Sequence, residues 1–242
     1  MLSSAFRLCC IFPHPDDESF LTGGSIAYCA HELGAEVSLY TLTRGESSRH
    51  ARRLGITPDE LARRRSVEVV EAARILGITR FFQGDYPDGG LRDIEPQIIE
   101  RDIEEKILFL RPHVLLTFDV QGGSGHPDHI VTHHIVKRVF VRLRNEITSL
   151  QRLAYTVLPQ VRIATWPRKV FGVEEHRIHA ILHVARHYQT ERAAIHAHRS
   201  VVGDVLDYNH DNWMLWEHEY FSFFNERISP PANSLFDGLL QQ

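Results

Sequence analysis

Short apolar runs alternate with helical periodicities through the first 145 residues. "RLCCIF" (7–12) is a continuous apolar run of strand length, the pattern of a buried strand. "SIAYCAHEL" (25–33) carries helical spacing and stops at Gly34. "EVSLYTLT" (36–43) reads as a second strand, and a polar loop follows over 44–56. Thr57, Pro58 and Glu60 mark a helix start: a capping hydroxyl, a proline at the first helical position and a capping-box glutamate. That helix runs to Leu76, before Gly77. "TRFFQ" (79–83) is a third strand and 84–93 is rich in turn residues. A helix over 96–110 places apolar residues at 98, 99, 103, 107 and 108, which suits one buried face. "HVLLTFD" (113–119) is a fourth strand, 120–129 a glycine-rich loop, and His129 to Arg144 a helix. This alternation predicts an α/β architecture, a mostly parallel sheet flanked by helices and joined by right-handed crossovers.

Beyond residue 145 the pattern loosens. Strands are expected at 153–158, 177–184 and 219–224, and a helix at 188–198. No repeat, linker or low-complexity tract interrupts the chain. The 242 residues therefore read as one domain, with a core over 7–145 and a C-terminal elaboration over 146–242.

Composition narrows the class. Apolar residues make up 43%, ordinary for a soluble globular protein. The formal charge is -4 with both signs scattered, so there is no clustered basic footprint and no nucleic acid is expected as partner. No apolar run reaches the roughly 20 residues that span a bilayer, and the short N-terminal apolar stretch makes no signal peptide. Cys9, Cys10 and Cys29 are an odd number without a CxxC, which fits reduced core cysteines in a cytoplasmic protein.

Two polar clusters break the apolar pattern where strands end. "HPDDE" (14–18) follows the first strand and "GHPDH" (125–129) the fourth. In an open parallel sheet, ligands bind beyond the carboxyl ends of the strands, so both clusters belong to one edge. A catalytic zinc takes three protein ligands from His, Asp or Glu and keeps a position for water. The first cluster offers one His and one Asp, the second one more His. His14 and Asp17 are three apart, as are His126 and His129, a spacing that shares a face at a helix entry. Asp16 and Asp17 are neighbours, so if one ligates a metal the other is free for proton transfer. His129 and His133, at i and i+4, form a competing pair. Either cluster alone also fits a polar turn capping a helix.

These motifs together resemble the LmbE-like (PIG-L) zinc deacetylases, which include N-acetylglucosaminyl-phosphatidylinositol de-N-acetylases and the deacetylases of mycothiol and bacillithiol synthesis. The resemblance rests on "HPDDESFLTGGS", "LTRGES", "RSVEVVEAARILG", "YPDGGL" and "GHPDH", in that order over 7–145. "AIHAHRS" (194–200) resembles a further family motif, with Val201 where the family has Gln. The resemblance implies a Rossmann-like fold and zinc ligands His14, Asp17 and His129. It makes Asp16 the general base, and His126 the group that stabilises the oxyanion or protonates the leaving amine, oriented by Asp128. It places Arg44 and Asp88 toward substrate and leaves Arg65 and Glu68 as a structural pair.

The expected reaction is hydrolytic removal of an N-acetyl group from an N-acetylglucosamine-type substrate, a small-molecule amino-sugar conjugate. Two other readings stay open: a metal-dependent phosphohydrolase, favoured by a second metal, and a non-catalytic metal-containing binding protein. A His2Asp site accepts Fe2+ as well as Zn2+. Tyr86, Trp213 and Trp216 could stack on a sugar or pack a core. A homo-oligomer is compatible with all three readings.

Overall fold

In the computed structural model, which describes residues 5–47, 49–164, 170–206 and 217–241, the apolar run at the N-terminus becomes the middle of a sheet. The elements in chain order are β1 (Arg7–Phe12), α1 (Asp17–Phe20), α2 (Gly23–Ala27), a π turn over Tyr28–Glu32, β2 (Glu36–Thr43), α3 (His50–Leu54), α4 (Pro58–Leu76) and β3 (Arg80–Tyr86). A 3-10 turn over Leu91–Asp93 precedes α5 (Pro96–Leu110), β4 (Val114–Phe118), α6 (Gly122–Gly125), α7 (Pro127–Leu143) and β5 (Arg152–Val157). The last third supplies α8 (Gln160–Ile163), β6 (Ala180–His183), α9 (Tyr188–Ala197), α10 (Arg199–Leu206) and β7 (His218–Phe223).

The strands form one sheet in the order β3-β2-β1-β4-β5-β7-β6. The first five are parallel, and β7 runs antiparallel between β5 and β6. The chain winds outward from β1 through β2 to β3, then crosses back to lay β4 on the other side of β1. The loops that leave β1 and β4 therefore diverge, and a crevice opens between them at this switch point. Alternate residues of β1 serve opposite faces: Leu8, Cys10 and Phe12 meet Ile26, Val69, Leu76 and Ala194, whereas Cys9 and Ile11 meet Ile103, Ile107, Val136 and Phe140. Burial on both faces is why this strand reads as an unbroken apolar run.

Several elements depart from the sequence expectation. The first helix starts earlier, at Asp17, because the carboxylates of its opening turn hide its periodicity. A short helix, α3, lies within the expected polar loop and ends at Gly55. β3 continues to Tyr86, and the strand expected over 177–184 shrinks to Ala180–His183 behind a 3-10 turn. On α5 the core takes Ile99, Ile103 and Ile107, while Ile98 and Leu108 are exposed. α7 begins at Pro127, so His129 sits inside its first turn. α10 was not expected. Trp213 and Trp216 lie outside the described residues.

The last third closes against the first helices. Glu219 of β7 accepts the backbone N–H groups of Gly24 and Ser25, each at 2.9 Å. Beside it, Glu191 of α9 is 1% exposed, and its Oε2 has no partner among the described residues. A Cβ on Gly24 would meet Val184 at 2.8 Å and Glu219 Oε1 at 2.9 Å, so only glycine admits this approach. The final residues return to the sheet: buried Arg152 bonds Glu226 and the carbonyls of Leu235 and Asp237, and Phe6 stacks on Phe236 at 4.7 Å.

Candidate active site

The loop after β1 presents His14, Asp16 and Asp17, and the turn entering α7 presents His126, Asp128 and His129. Both line a cavity of about 330 Å³, together with Ser47, Arg65, Asp88 and Gly89, except Asp128, which lies buried beneath it. His14 Nδ1 is 3.2 Å from His129 Nε2 and 3.4 Å from Asp17 Oδ2, and His129 Nε2 is 3.4 Å from Asp17 Oδ1. Donors held ~2.0–2.1 Å from a tetrahedral ion lie ~3.3 Å from one another. The His14 and His129 nitrogens stand at the spacing that such an ion would impose, Asp17 faces each of them with a different carboxylate oxygen, and among the described residues the ligand atoms of His14, His126 and His129 all lie within 4.8 Å of one another.

Backbone acceptors set the rings. His129 Nδ1 lies 2.9 Å from the carbonyl of Gly122, and donating there leaves Nε2 as a lone pair facing the cavity. Gly122 has φ +60°, and a Cβ there would come 2.6 Å from that of His129, so the close passage needs glycine. His14 shows its other nitrogen, Nε2, to Asp88 Oδ1 at 3.1 Å and Asp128 Oδ2 at 3.2 Å. Asp128 in turn accepts Gly89 N at 2.7 Å and Leu91 N at 3.2 Å. Its carboxylate therefore orients His14, not His126 as expected. Its contact with His126 runs through the backbone, where Asp128 N donates to Nδ1 at 3.2 Å. That bond fixes the His126 tautomer with its proton on Nε2.

Electrostatics favour a cation. Burial alone would lower the His14 pKa, but Asp128, Asp17 and Asp88 outweigh it and raise it well above the ordinary value. The carboxylates thus draw a proton onto the ring in the absence of a metal, and a divalent ion answers the same charge. Burial pushes Asp16 up to about 6 against the pull of Arg65. Burial also acts to raise Asp17, but His129 and His14 overcome it and bring it down to about 2. Two neighbouring carboxylates whose environments drive them apart suit different tasks.

Asp16 sits at φ +126°, ψ -27°, a conformation that costs a non-glycine residue ~1–3 kcal/mol. Arg65 helps hold it: Nη2 lies 3.0 Å from Asp16 Oδ2 and bonds the Pro15 carbonyl, while Nη1 donates to Gly45 O at 2.9 Å. Arg65 is therefore no partner of Glu68, whose carboxylate takes Ser200 N and Oγ at 2.9 and 2.5 Å. The signal was present in the spacing. Arg65 shares the buried face of α4 with Leu61, Ala62, Val69, Ala72 and Leu76, and a buried guanidinium needs acceptors. Arg44 is not among the cavity-lining residues, and its Nε lies 3.6 Å from Asp85 on the surface. His133 stays out of the metal cluster, with Nδ1 on the Phe118 carbonyl at 2.9 Å. Tyr86 reaches Asp102 at 3.3 Å and packs on the core.

Comparison with known proteins adds to this geometry. The family model described as "PIG-L: GlcNAc-PI de-N-acetylase" matches residues 9–140. A 1D-myo-inositol 2-acetamido-2-deoxy-alpha-D-glucopyranoside deacetylase of Mycobacterium leprae is 36% identical over 154 residues, 55% of this chain and 50% of the relative. A protein of the same description from Mycolicibacterium vanbaalenii is 30% identical over 230 residues, 81% of each chain. The chain spans about half the length of the first curated relatives it matches. Among solved structures, the N,N'-diacetylchitobiose deacetylase of Pyrococcus horikoshii superposes with TM-score 0.65 at 20% identity, covering 91% of this chain and 84% of that one. The 4-carboxy-2-hydroxymuconate hydratase GalB of Pseudomonas putida gives 0.68 at 17% identity, covering 93% and 98%. At such identities the likeness is one of fold, and this fold carries more than one reaction.

Proposed function

The chain belongs to the PIG-L family, and on that premise we propose that it is a zinc-dependent N-deacetylase acting on a small N-acetylglucosamine-type conjugate. The observation that carries the reading is the group of His14, His126 and His129 with their ligand atoms within 4.8 Å of one another, and with Asp17 turning one carboxylate oxygen to His14 and the other to His129 at 3.4 Å each, inside the matched segment. His14, Asp17 and His129 would hold the ion. When bound, a divalent ion supplies Lewis acidity, polarising an acyl oxygen and lowering the pKa of a water toward ~7.

The chain's own groups supply the rest. Asp16, raised to about 6 and held by Arg65, takes the proton of the water that attacks the acetyl carbon. His126, whose Nδ1 accepts Asp128 N, carries its proton on Nε2 and donates that N–H as a hydrogen bond to the developing oxyanion, while Asp16 passes the proton it took from the water to the amine as the carbon–nitrogen bond breaks. Acetate and the free amino sugar leave. Asp88, with Oδ2 accepting Ser47 N at 2.9 Å, borders the cavity where sugar hydroxyls would lie. Zinc is the proposed ion; the same donors accept Fe2+. Three buried cysteines, all free, support a cytoplasmic setting. No helix among the described residues is long and apolar enough to cross a membrane.

The test pairs elemental analysis of the purified chain with acetate release from a panel of N-acetylglucosamine conjugates. One zinc per chain together with acetate release supports the reading. Two metals would move it to phosphoester chemistry, and a chain that holds no metal even after reconstitution would end it.

A further inference from the structure

"AIHAHRS" has found no place in the chemistry above, yet its buried polar side chains end on the catalytic loop. His198 follows the last residue of α9 and is fully buried. Its Nε2 lies 2.7 Å from Glu18 Oε1 and 3.3 Å from Ser19 Oγ. Glu18, equally buried, turns its other oxygen back to accept the backbone N–H of Asp16 at 3.0 Å. That N–H belongs to the residue held at φ +126°. A carboxylate that captures it is one of the contacts that can retain so unfavourable a backbone.

The same turn is anchored at its other end. Ser200 bonds both oxygens of Glu68 on α4 and gives its carbonyl to Arg53 Nη2 at 2.6 Å. Glu68 stands one turn along α4 from Arg65, which grips Asp16 and the Pro15 carbonyl. Two sets of contacts thus meet at Asp16, one through Glu18 and His198 and one through Arg65, and the backbone between His198 and Ser200 and the turn of α4 between Arg65 and Glu68 join them. Their members come from the catalytic loop, from α4 and from the last third of the chain. Local sequence alone could not assemble them.

We infer that His198 is a positioning residue for the reaction. Acting through Glu18, it holds Asp16 in the backbone conformation from which the carboxylate meets the attacking water. The C-terminal third thereby sets the geometry of a site whose reacting groups all lie in the first 130 residues. This rests on the reading of Asp16 as the base.

The experiment compares wild type, His198→Leu, His198→Gln and Asp16→Asn. It measures kcat and KM for acetate release from an N-acetylglucosamine conjugate, metal per chain by elemental analysis, and the Asp16 backbone by crystallography. In His198→Leu, kcat should fall ~10–100-fold, the usual effect of losing a supporting partner, with KM and metal content unaltered and Asp16 relaxed out of positive φ. His198→Gln, whose amide can still donate to Glu18, should recover most of the loss. An unaltered kcat, or an Asp16 backbone that does not move, would overturn the inference. If wild type and Asp16→Asn turn over alike, the base assignment fails instead, and the crystallographic comparison still decides what His198 holds. Should His198→Leu not fold, Glu68→Ala removes the acceptor of both Ser200 bonds and leaves the buried pair intact. It should lower kcat several-fold at constant KM, and no change there would likewise overturn the inference.

Discussion

Replacing Glu191 with glutamine should stabilise the fold and flatten its dependence on pH. Glu191 is 1% exposed on α9, with one carboxyl oxygen unpartnered among the described residues. Burial first, and the neighbouring Glu219 second, push its pKa from 4.5 up to about 10. Of the two, Glu219 is raised less, by burial up to about 7, because Gly24 and Ser25 donate to it. Between 4.5 and about 10 the folded chain therefore holds a proton on Glu191 that the unfolded chain has released. The contribution is complete below 4.5 and is lost as pH rises toward 10, at ~1.4 kcal/mol per pH unit. At pH 7 the interval of 2.5 units above 4.5 amounts to ~3 kcal/mol, whatever the folded value, provided it exceeds 7. Glutamine keeps the shape without the proton requirement. Its added N–H group needs an acceptor, and an unmet donor gives back ~1–3 kcal/mol. Chemical denaturation of both proteins from pH 5 to 8 separates the two effects. The amide penalty is constant with pH, whereas the difference in stability should widen by ~1.4 kcal/mol per unit. Parallel stability curves for the two proteins would refute the claim that Glu191 is held neutral.

Asp16→Asn should retain one metal per chain and lose ~10²–10⁴-fold in kcat, by elemental analysis and acetate release; equal loss of both would remove Asp16 as the base. His129→Ala removes one of the proposed metal donors and should empty the site, read as metal content after dialysis against trace zinc. Gly24→Ala drives a methyl to 2.8 Å from Val184 and should destabilise by ~1–3 kcal/mol, read from the denaturation midpoint.

What was legible in the sequence follows from where each signal is stored. β2 and α4 appeared at their observed bounds because β2 is a short run of strand-favouring residues and α4 has both a Thr57 cap, accepting Glu60 N at 3.2 Å, and Gly77 at its end. The two histidine clusters could be placed together because strand ends of a parallel sheet share an edge. Helix starts at Asp17 and Pro127 were missed for one reason: residues there serve the site, and polar side chains in a first turn mask helical periodicity. The partner of Asp128 was misread because His14 lies 114 positions away, and no local spacing encodes that contact. Arg65 and Glu68 looked like a helical i, i+3 pair. Each instead leaves the helix for a distant acceptor or donor, which only tertiary packing decides.

The antiparallel end of the sheet bears on how the protein is made. A nascent chain that has emerged through β5 carries His14, Asp16, Asp17, His126 and His129, the full set of proposed reacting groups. It still lacks His198 behind Glu18, Glu219 over Gly24 and Ser25, and the Phe236 ring that stacks on Phe6. The helix following the loop after β1 therefore waits, its first amides uncapped, for a residue more than 190 positions downstream. Synthesis therefore delivers the proposed reacting groups early and the residues that enclose them last.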